Sequence, residues 1–457
     1  MQNRDYGLGK EDVKKLVLQL SIPSIIAMLA NALYNVVDRI FIGKGVNEIA
    51  IGGVYVALPL MFVISSFMIL ASTGGSTLMS ISLGKGDKDM AEKFLNNSFV
   101  LCAVFSVLLP LVFYPFSDDL LRLVGSVPEN HQYALDYFNI VLLASPAIMI
   151  GFGLNNFIRA SGDSKAAMIT ILIGVFLNVI LDPIFIFVFD MGVKGAAIAT
   201  AISQYVSAIW VVMHFVKKKS ILTLNIKYFK LERKIVSMIF ENGLPLFLMN
   251  IANALVSAFI TVEARKYGGA SAISALSILT SVTNVFFMPL FGINQGIQPI
   301  IAYNYGAKNY ERLSKAYKIG ALYATYISIF VFIIIMIFPE QMARIFMQKD
   351  ANPELLTMSV AALRKSMYAT AFLGIGVTGT SFFQAVKRPK VAAFTSLLRQ
   401  FLLLVPLVYF MSIKWGLNGI WYAYSLSDLI STIIVVYYLV RIFKLVKIEC
   451  ESEGEVI

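Results

Sequence analysis

The sequence predicts an all-α integral membrane protein with twelve transmembrane helices, arranged as two parallel six-helix repeats. Two observations support this fold class. The chain is 58% hydrophobic and only 14% charged, whereas ordinary soluble proteins contain about 25% charged residues. Short peptides also recur at a fixed offset along the chain. The composition therefore excludes a soluble globular protein, and the recurrence predicts a duplicated one.

The repeat is visible in individual residues. The peptide Ala-Asn-Ala-Leu at 30–33 recurs at 252–255, an offset of 222 in the numbering. The same offset pairs Pro23 with Pro245, Gly74 with Gly296, Gly84 with Gly306 and Lys93 with Lys315. At an offset of 224, Gly192, Gly195, Ala199 and Ser203 match Gly416, Gly419, Ala423 and Ser427. The chain is thus two copies of one unit.

Each copy carries six apolar runs of roughly 20 residues, the length that crosses a bilayer as a helix. The runs begin near Leu16, Ala50, Phe94, Tyr133, Ala166, Val193, Val236, Ile273, Ala316, Thr357, Val391 and Gly416. Six spans return the chain to its starting side, so the copies run in the same direction through the membrane. We predict an N-terminal lobe over 1–220, a cytoplasmic linker over 221–235 and a C-terminal lobe over 236–457.

The net charge of +11 is distributed by side of the membrane. With the N-terminus inside, 26 of the 38 Lys and Arg residues lie on the cytoplasmic side. By the positive-inside rule, both termini are cytoplasmic. This predicts a multi-pass protein of the cell inner (cytoplasmic) membrane, with the lipid bilayer as partner and no nucleic acid.

Few residues could support catalysis or hold a structural metal. The only histidines, His131 and His214, are far apart, and Cys102 and Cys450 show no metal-binding spacing. No nucleophile and base have a suitable spacing within the spans. The chain is therefore predicted not to be an enzyme and to need no cofactor.

A carboxylate inside a span is costly and marks a candidate functional site. Asp38 ends the first span and shares a helical stripe with Ser24, Asn31 and Asn35, because spacings of three, four and seven fall on one face. Such a polar stripe faces a bundle interior or a wet cavity. The alternative is that Asp38 only pairs with Arg39 at the membrane interface.

Asp182 in the fifth span is the second candidate. Asn178 lies one helical turn before it on the same face, and Pro183 follows it. Proline has no N–H, so the carbonyl of Val179 loses its helical donor. This oxygen-rich turn could bind Na⁺ or hold a proton. The alternative is a helix kink in which a water satisfies Asp182.

Several motifs resemble the multidrug and toxic compound extrusion (MATE) family, part of a larger group that includes polysaccharide and lipid-linked flippases. These motifs are the end of the first span at 34–43, Arg-Ala-Ser-Gly-Asp at 159–163, Asn178-x-x-x-Asp182-Pro183, Gly-Ala-Ala-Ile-Ala-Thr at 195–200 and Gln-Gly-Ile-Gln-Pro at 295–299. The resemblance covers nearly all twelve spans. It implies two lobes that alternately expose a site to each side of the membrane.

The resemblance also implies a cation site in the N-terminal lobe, formed by Asp38, Asn178, Asp182 and Thr200. The coupling ion would be H⁺ or Na⁺. One branch of the family has a glutamate in the seventh span, where this chain has Asn253. The nearby Glu263 lies off the polar stripe of this span, which is formed by Asn250, Asn253, Ser257 and Thr261, and it is expected to pair with Lys266 at i+3. Coupling is therefore expected in the N-terminal lobe.

Aromatic, Met and amide side chains are the candidates for a substrate cavity, because they suit varied lipophilic cations. They are Met28, Asn31, Tyr34, Asn35, Phe152, Asn155, Asn253, Phe286, Phe287, Met288 and Gln295.

The predicted function is a monomeric, cation-coupled antiporter that exports lipophilic, often cationic, drugs or other small organic compounds by rocking of its two lobes. The alternative is a flippase for lipids or lipid-linked oligosaccharides. A flippase would need basic cavity residues for a pyrophosphate, and the only Lys or Arg within spans are Arg39 and Arg399.

Overall fold

The computed structural model describes residues 7–46, 48–217, 220–345, 347 and 353–452. Within the helices, the side chains of Asn35 and Arg39 are not among the described ones. Every regular element in the described ranges is helical. The all-α prediction is confirmed.

The described residues form sixteen α-helices, together with two π-helical segments and one 3₁₀ turn. In the N-terminal half they are α1 (Val13–Gly45), α2 (Glu48–Gly84), α3 (Lys88–Phe113), α4 (Ser117–Leu123), α5 (Pro128–Leu143), α6 (Ser145–Ala160), α7 (Ser164–Pro183) and α8 (Gly192–Val216). In the C-terminal half they are α9 (Arg233–Gly306), α10 (Tyr310–Ile337), α11 (Pro339–Ile345), α12 (Pro353–Ser366), α13 (Thr370–Ala385), α14 (Pro389–Leu397), α15 (Leu404–Trp415) and α16 (Leu417–Ser452).

The helices recur along the chain as the sequence predicts. At the offset of 222, the starts of α3 and α4 match the starts of α10 and α11. At the slightly longer offset of 225, the starts of α6 and α7 match those of α13 and α14. Helix caps recur as well. The Asp87 carboxylate accepts a hydrogen bond from the Met90 N–H at α3, and the Asn309 side chain accepts one from the Arg312 N–H at α10.

Ten described helical segments are long and apolar enough to cross a membrane, and the bent pair α5–α6 makes an eleventh. The break at Gly269, with φ 60° and ψ −150°, divides α9 into the seventh and eighth spans. The pair α12–α13 takes the place of the predicted tenth span. Its two helices have 14 and 16 residues, so neither is long enough to span a membrane on its own, and Arg364 and Lys365 lie in the last turn of α12. The chain is a multi-pass membrane protein.

Both copies of the fifth-span helix depart from regular α-helix. α7 ends at Pro183 and continues as a π-helical turn, Ile184–Val188. In the second copy, a π-helical segment, Leu398–Leu403, joins α14 to α15. The break beside Asp182 agrees with the missing N–H of Pro183.

The described chain forms two compact units, and each unit includes a segment from the other half of the chain. One contains residues 7–11 and 26–247, and the other contains 12–25 and 248–452. The prediction assigns 12–25 to the N-terminal lobe and 236–247 to the C-terminal lobe. In the structure, 12–25 at the start of α1 belong to the second unit, and the start of α9 up to residue 247 belongs to the first. The chain therefore passes between units within α1 and within α9.

Close glycine contacts explain this exchange. A Cβ on Gly74 of α2 would overlap the backbone of α9 at Ile239, and one on Gly243 would overlap α2 at Leu70. In the second unit, a Cβ on Gly296 of α9 would overlap α1 at Ser21. Gly296 and Gly243 are the counterparts of Gly74 and Ser21 at offset 222. One contact between small residues thus occurs twice, as in other membrane helix pairs.

The predicted linker, 221–235, packs against α3. The side chain of the buried Asn96 donates to the Thr223 carbonyl at 3.1 Å and accepts from the Asn225 N–H at 2.8 Å. Asn97 bonds residues 228 and 232 in the same manner, at 3.3 and 3.0 Å. Two adjacent asparagines therefore fix the linker, so it is not a freely solvated loop.

Candidate cation site

Three helices of the first unit bring the predicted cation-site residues together. Asp38 comes from α1, Asn178 and Asp182 from α7, and Thr200 from α8. Their exposed fractions are 5%, 2%, 0% and 5% in that order. Asn178 and Asp182 share a face because they are one helical turn apart. The small residues at 195–199 belong to α8, where Gly195 approaches the π-helical turn too closely for a Cβ.

Asn178 links the members of the cluster. Its amide donates to Asp182 Oδ1 at 3.1 Å and to Thr200 Oγ1 at 3.2 Å. The Tyr34 hydroxyl is 3.4 Å from Thr200 Oγ1. Because the amide nitrogen is used internally, the carbonyl oxygen of Asn178 remains for a ligand.

The cluster is rich in oxygen. The Asp38 carboxyl lies close enough to Asp182 for the two side chains to interact directly. Asn178 Oδ1 and Asp182 Oδ2 are buried and accept no hydrogen bond from an amide or hydroxyl group that the structure describes. Buried oxygens without donors are unfavourable, and a small cation would satisfy them. The residues therefore fit a proton or Na⁺.

A small cavity lies beside the cluster. Asn31, Tyr34, Asn178 and Thr200 line it together with Phe152. Its free volume is about 10 Å³, close to what one water molecule requires. The cavity brings three predicted substrate-cavity residues (Asn31, Tyr34 and Phe152) into contact with two predicted cation ligands.

Sequence reasoning missed part of this lining. The further residues are Ile171, Gly174, Val175, Ser203, Gln204 and Ser207. Helical spacing could have identified three of them. Gly174 lies one turn before Asn178, and Ser203 and Ser207 lie one and two turns after Thr200.

The other predicted cavity residues are placed differently. Asn155 uses both ends of its amide within the first unit, donating to the Ala167 carbonyl at 2.8 Å and accepting from Arg159 at 2.6 Å. Met28 is half-buried on α1. The side chain of Asn35 lies outside the described residues. None of these three is among the cavity-lining side chains that the structure describes.

The C-terminal candidates lie in the second unit. Phe286 and Phe287 are half-buried and pack against its hydrophobic core. Asn253, Met288 and Gln295 are half-buried on the same helix, α9. Their role in a substrate cavity stays a prediction.

Two further carboxylates lie inside the spans of the second unit. Glu263 is 4.0 Å from Lys266, as predicted, and accepts a hydrogen bond from Ser412 at 3.1 Å. Asp428 on α16, which the sequence reasoning passed over, is 3.4 Å from Arg399. Both acids are therefore paired with cationic groups.

Comparisons with known proteins agree with the fold. The MatE family model matches residues 23–184 and 245–410, one block in each repeat. Multidrug export protein MepA from Staphylococcus aureus (strain bovine RF122 / ET3-1) is 28% identical over 438 residues, covering 95% of this chain and 96% of its own length. MepA from Staphylococcus haemolyticus (strain JCSC1435) is 25% identical over 428 residues, covering 94% and 93% of the two chains.

A solved structure described as the outward-facing conformation of a multidrug resistance MATE family transporter of the MOP superfamily has the same fold. It superposes with a TM-score of 0.92 at 24% identity and covers 98% of this chain and 99% of its own. The match of the family model to both repeats extends over most of the spans. The chain therefore belongs to the MatE family of membrane transporters.

Proposed function

We propose that this protein is a cation-coupled antiporter that exports lipophilic, often cationic, organic compounds, with the N-terminal cluster as its coupling site. The observation that carries the proposal is the buried carboxyl pair Asp38–Asp182, with the unpartnered oxygen of Asn178 beside it. The multidrug export activity named for the staphylococcal relatives supports the substrate class.

The cluster supplies the chemistry that coupling requires. Two neighbouring carboxylates repel each other, and one proton or one Na⁺ removes that repulsion. An ion can drive a conformational change only if its affinity differs between the two states. A site that is buried in one state and wetter in the other provides such a difference. Movement of the repeats would expose the site to each side in turn.

The flippase alternative receives less support from the described basic residues. Arg399, one of two arginines assigned to spans, is paired with Asp428. The buried Arg159 at the end of α6 donates to Asn155. Neither guanidinium is presented as a free ligand for a pyrophosphate. We therefore favour an exporter over a flippase. From the distribution of its Lys and Arg residues, we propose that it lies in the cytoplasmic membrane with both termini inside.

Transport in everted vesicles tests the proposal. An imposed pH gradient and an imposed Na⁺ gradient, each applied alone, should show which ion drives uptake of a cationic dye. We expect Asp182→Asn to remove about 90% or more of the gradient-driven flux, because asparagine cannot change its charge when the ion arrives.

The matched control is Glu263→Gln, which also neutralises a buried carboxylate within a span but lies in the second unit. It should keep most of the flux. Equal flux in Asp182→Asn and the parent under the same gradient would show that coupling resides elsewhere.

A further inference from the structure

The C-terminal repeat holds a charged pair inside the membrane that the proposed export mechanism does not use. Arg399 lies in the π-helical segment 398–403, and its Nη1 is 3.4 Å from Asp428 Oδ1 on α16. The Ser427 hydroxyl donates to the Arg399 carbonyl at 2.6 Å. This bond fixes the π-helical segment against α16 and sets the position of the arginine.

The repeat identifies the N-terminal counterpart of Arg399. At the offset of 225 that relates the starts of α7 and α14, Thr170 on α7 corresponds to Thr395 on α14. Both threonine hydroxyls donate to the carbonyl one helical turn earlier. The same offset places Arg399 at the position of Gly174.

Asp428 also has a counterpart beside the cation site. The matches of Ala199 with Ala423 and Ser203 with Ser427 set an offset of 224 on α8 and α16. Asp428 therefore corresponds to Gln204. Gly174 and Gln204 both line the small cavity next to the N-terminal cluster, so the ion pair occupies the equivalent place in the C-terminal repeat.

The oxygen ligands have been lost from that place. At these offsets Asn178 and Thr200 correspond to Leu403 and Tyr424. Glycine leaves space at position 174, whereas arginine brings a permanently charged guanidinium to position 399. Among the described titratable groups, Arg399 and Tyr424 are those that face Asp428. The guanidinium of Arg399 thus pairs with Asp428, the carboxylate at this position of the C-terminal repeat.

We propose that Arg399 is a permanent counter-ion for Asp428. Its guanidinium occupies, in the C-terminal repeat, the position that an exchangeable cation occupies in the N-terminal repeat. Asp428 is its positioning partner. The transporter then binds coupling ions in one repeat only, because the other repeat is permanently neutralised. The inference rests on the proposed cation site of the N-terminal repeat for its meaning, but its test does not depend on that site.

The test uses the full-length protein carrying both Asp38→Asn and Asp182→Asn, so that neither carboxyl of the N-terminal site can respond. Thermal unfolding is followed while choline is replaced by Na⁺ at alkaline pH, and separately while the pH is lowered in choline. Removing the fixed charge with Arg399→Gln should leave Asp428 in need of a cation. We expect Na⁺ or acid to raise the Tm of this variant by about 2–4 °C.

Two further variants in the same background complete the design. Arg399→Lys keeps a fixed cation and should gain no such response. Arg399→Gln/Asp428→Asn removes both charges and should lose the response again. If Arg399→Gln alone does not fold but the double variant does, the unbalanced carboxylate is the cause, which supports the proposal.

Two results would overturn it. One is an Arg399→Gln variant that folds and shows the same Tm under all ionic conditions. The other is a double variant that also fails to fold, since the pair would then be required for packing and hydrogen bonding and not for charge. If the Tm of the unsubstituted protein did not change with Na⁺ or pH, that result would count against the N-terminal cation site. The comparison among the Arg399 and Asp428 variants would remain valid.

Discussion

Individual oxygen atoms at the N-terminal cluster should distinguish the two candidate ions. A proton needs one carboxylate, whereas Na⁺ needs several oxygens around it. Asn178→Ala removes an amide oxygen and Thr200→Ala removes a hydroxyl, while both leave Asp38 and Asp182 in place. These variants should therefore weaken Na⁺-driven export about tenfold or more, and weaken proton-driven export less.

The measurement is the apparent ion affinity of vesicle transport in each variant. Ser207→Ala is a useful control, because its hydroxyl lines the same cavity but donates to the Thr170 carbonyl of α7 at 3.0 Å. If Asn178→Ala and Thr200→Ala changed proton-driven and Na⁺-driven export equally, their oxygens would not be ligands.

The cluster was predictable from sequence only in part. Asn178 and Asp182 form a pattern within one helix, which spacing reveals. The contribution of Thr200 required the family resemblance, because its contact with Asn178 joins two helices. Asp428 could have been found as an intramembrane carboxylate. Its role depends on Arg399, which is distant in sequence and reaches it only through the packing of two helices.

Helix contacts should depend on glycine at the points of closest approach. Gly74→Ala places a methyl group against the α9 backbone at Ile239, which cannot move as a side chain can. Gly52→Ala, on the same helix α2, meets its nearest atom at an ordinary 3.5 Å. We expect the first variant to lose about 1–3 kcal/mol of stability and the second to lose little.

Thermal unfolding of the two purified variants measures this difference. An equal Tm for both would show that α2 and α9 can separate slightly without cost.

The positions of the helices along the chain could be predicted from the sequence, whereas the helices and backbone groups that each of them contacts could not. The twelve spans and the repeat came from hydropathy and recurring residues. The exchange of 12–25 with 233–247 did not, because small residues mark a close contact without naming the helix on its other side. The asparagines that hold the linker were missed for the same reason. Their partners are backbone groups far away along the chain, at Thr223 and Tyr228.

The whole molecule should have the orientation that its basic residues indicate. Cys102 and Cys450 are buried, so introduced cysteines can be labelled against a low background. An impermeant maleimide applied to intact cells should label Glu129→Cys at the start of α5. It should label Lys230→Cys in the linker only after the membrane is permeabilised. The opposite pattern would invert the assignment.

The exchanged segments also bear on how the protein is made. Residues 12–25 leave the ribosome long before the helix that they pack against, around Gly296, is synthesised. The start of α1 is therefore inserted before the helix that it finally packs against has been made. Neither half of the chain contains all the residues of one unit. Expressed separately, fragments 1–231 and 232–457 should each be degraded by cellular quality control. Expressed together, they should protect one another and accumulate, as immunoblotting of membranes would show. If either fragment alone accumulated to the level seen on co-expression, the exchanged segments would not be needed for the stability of the units.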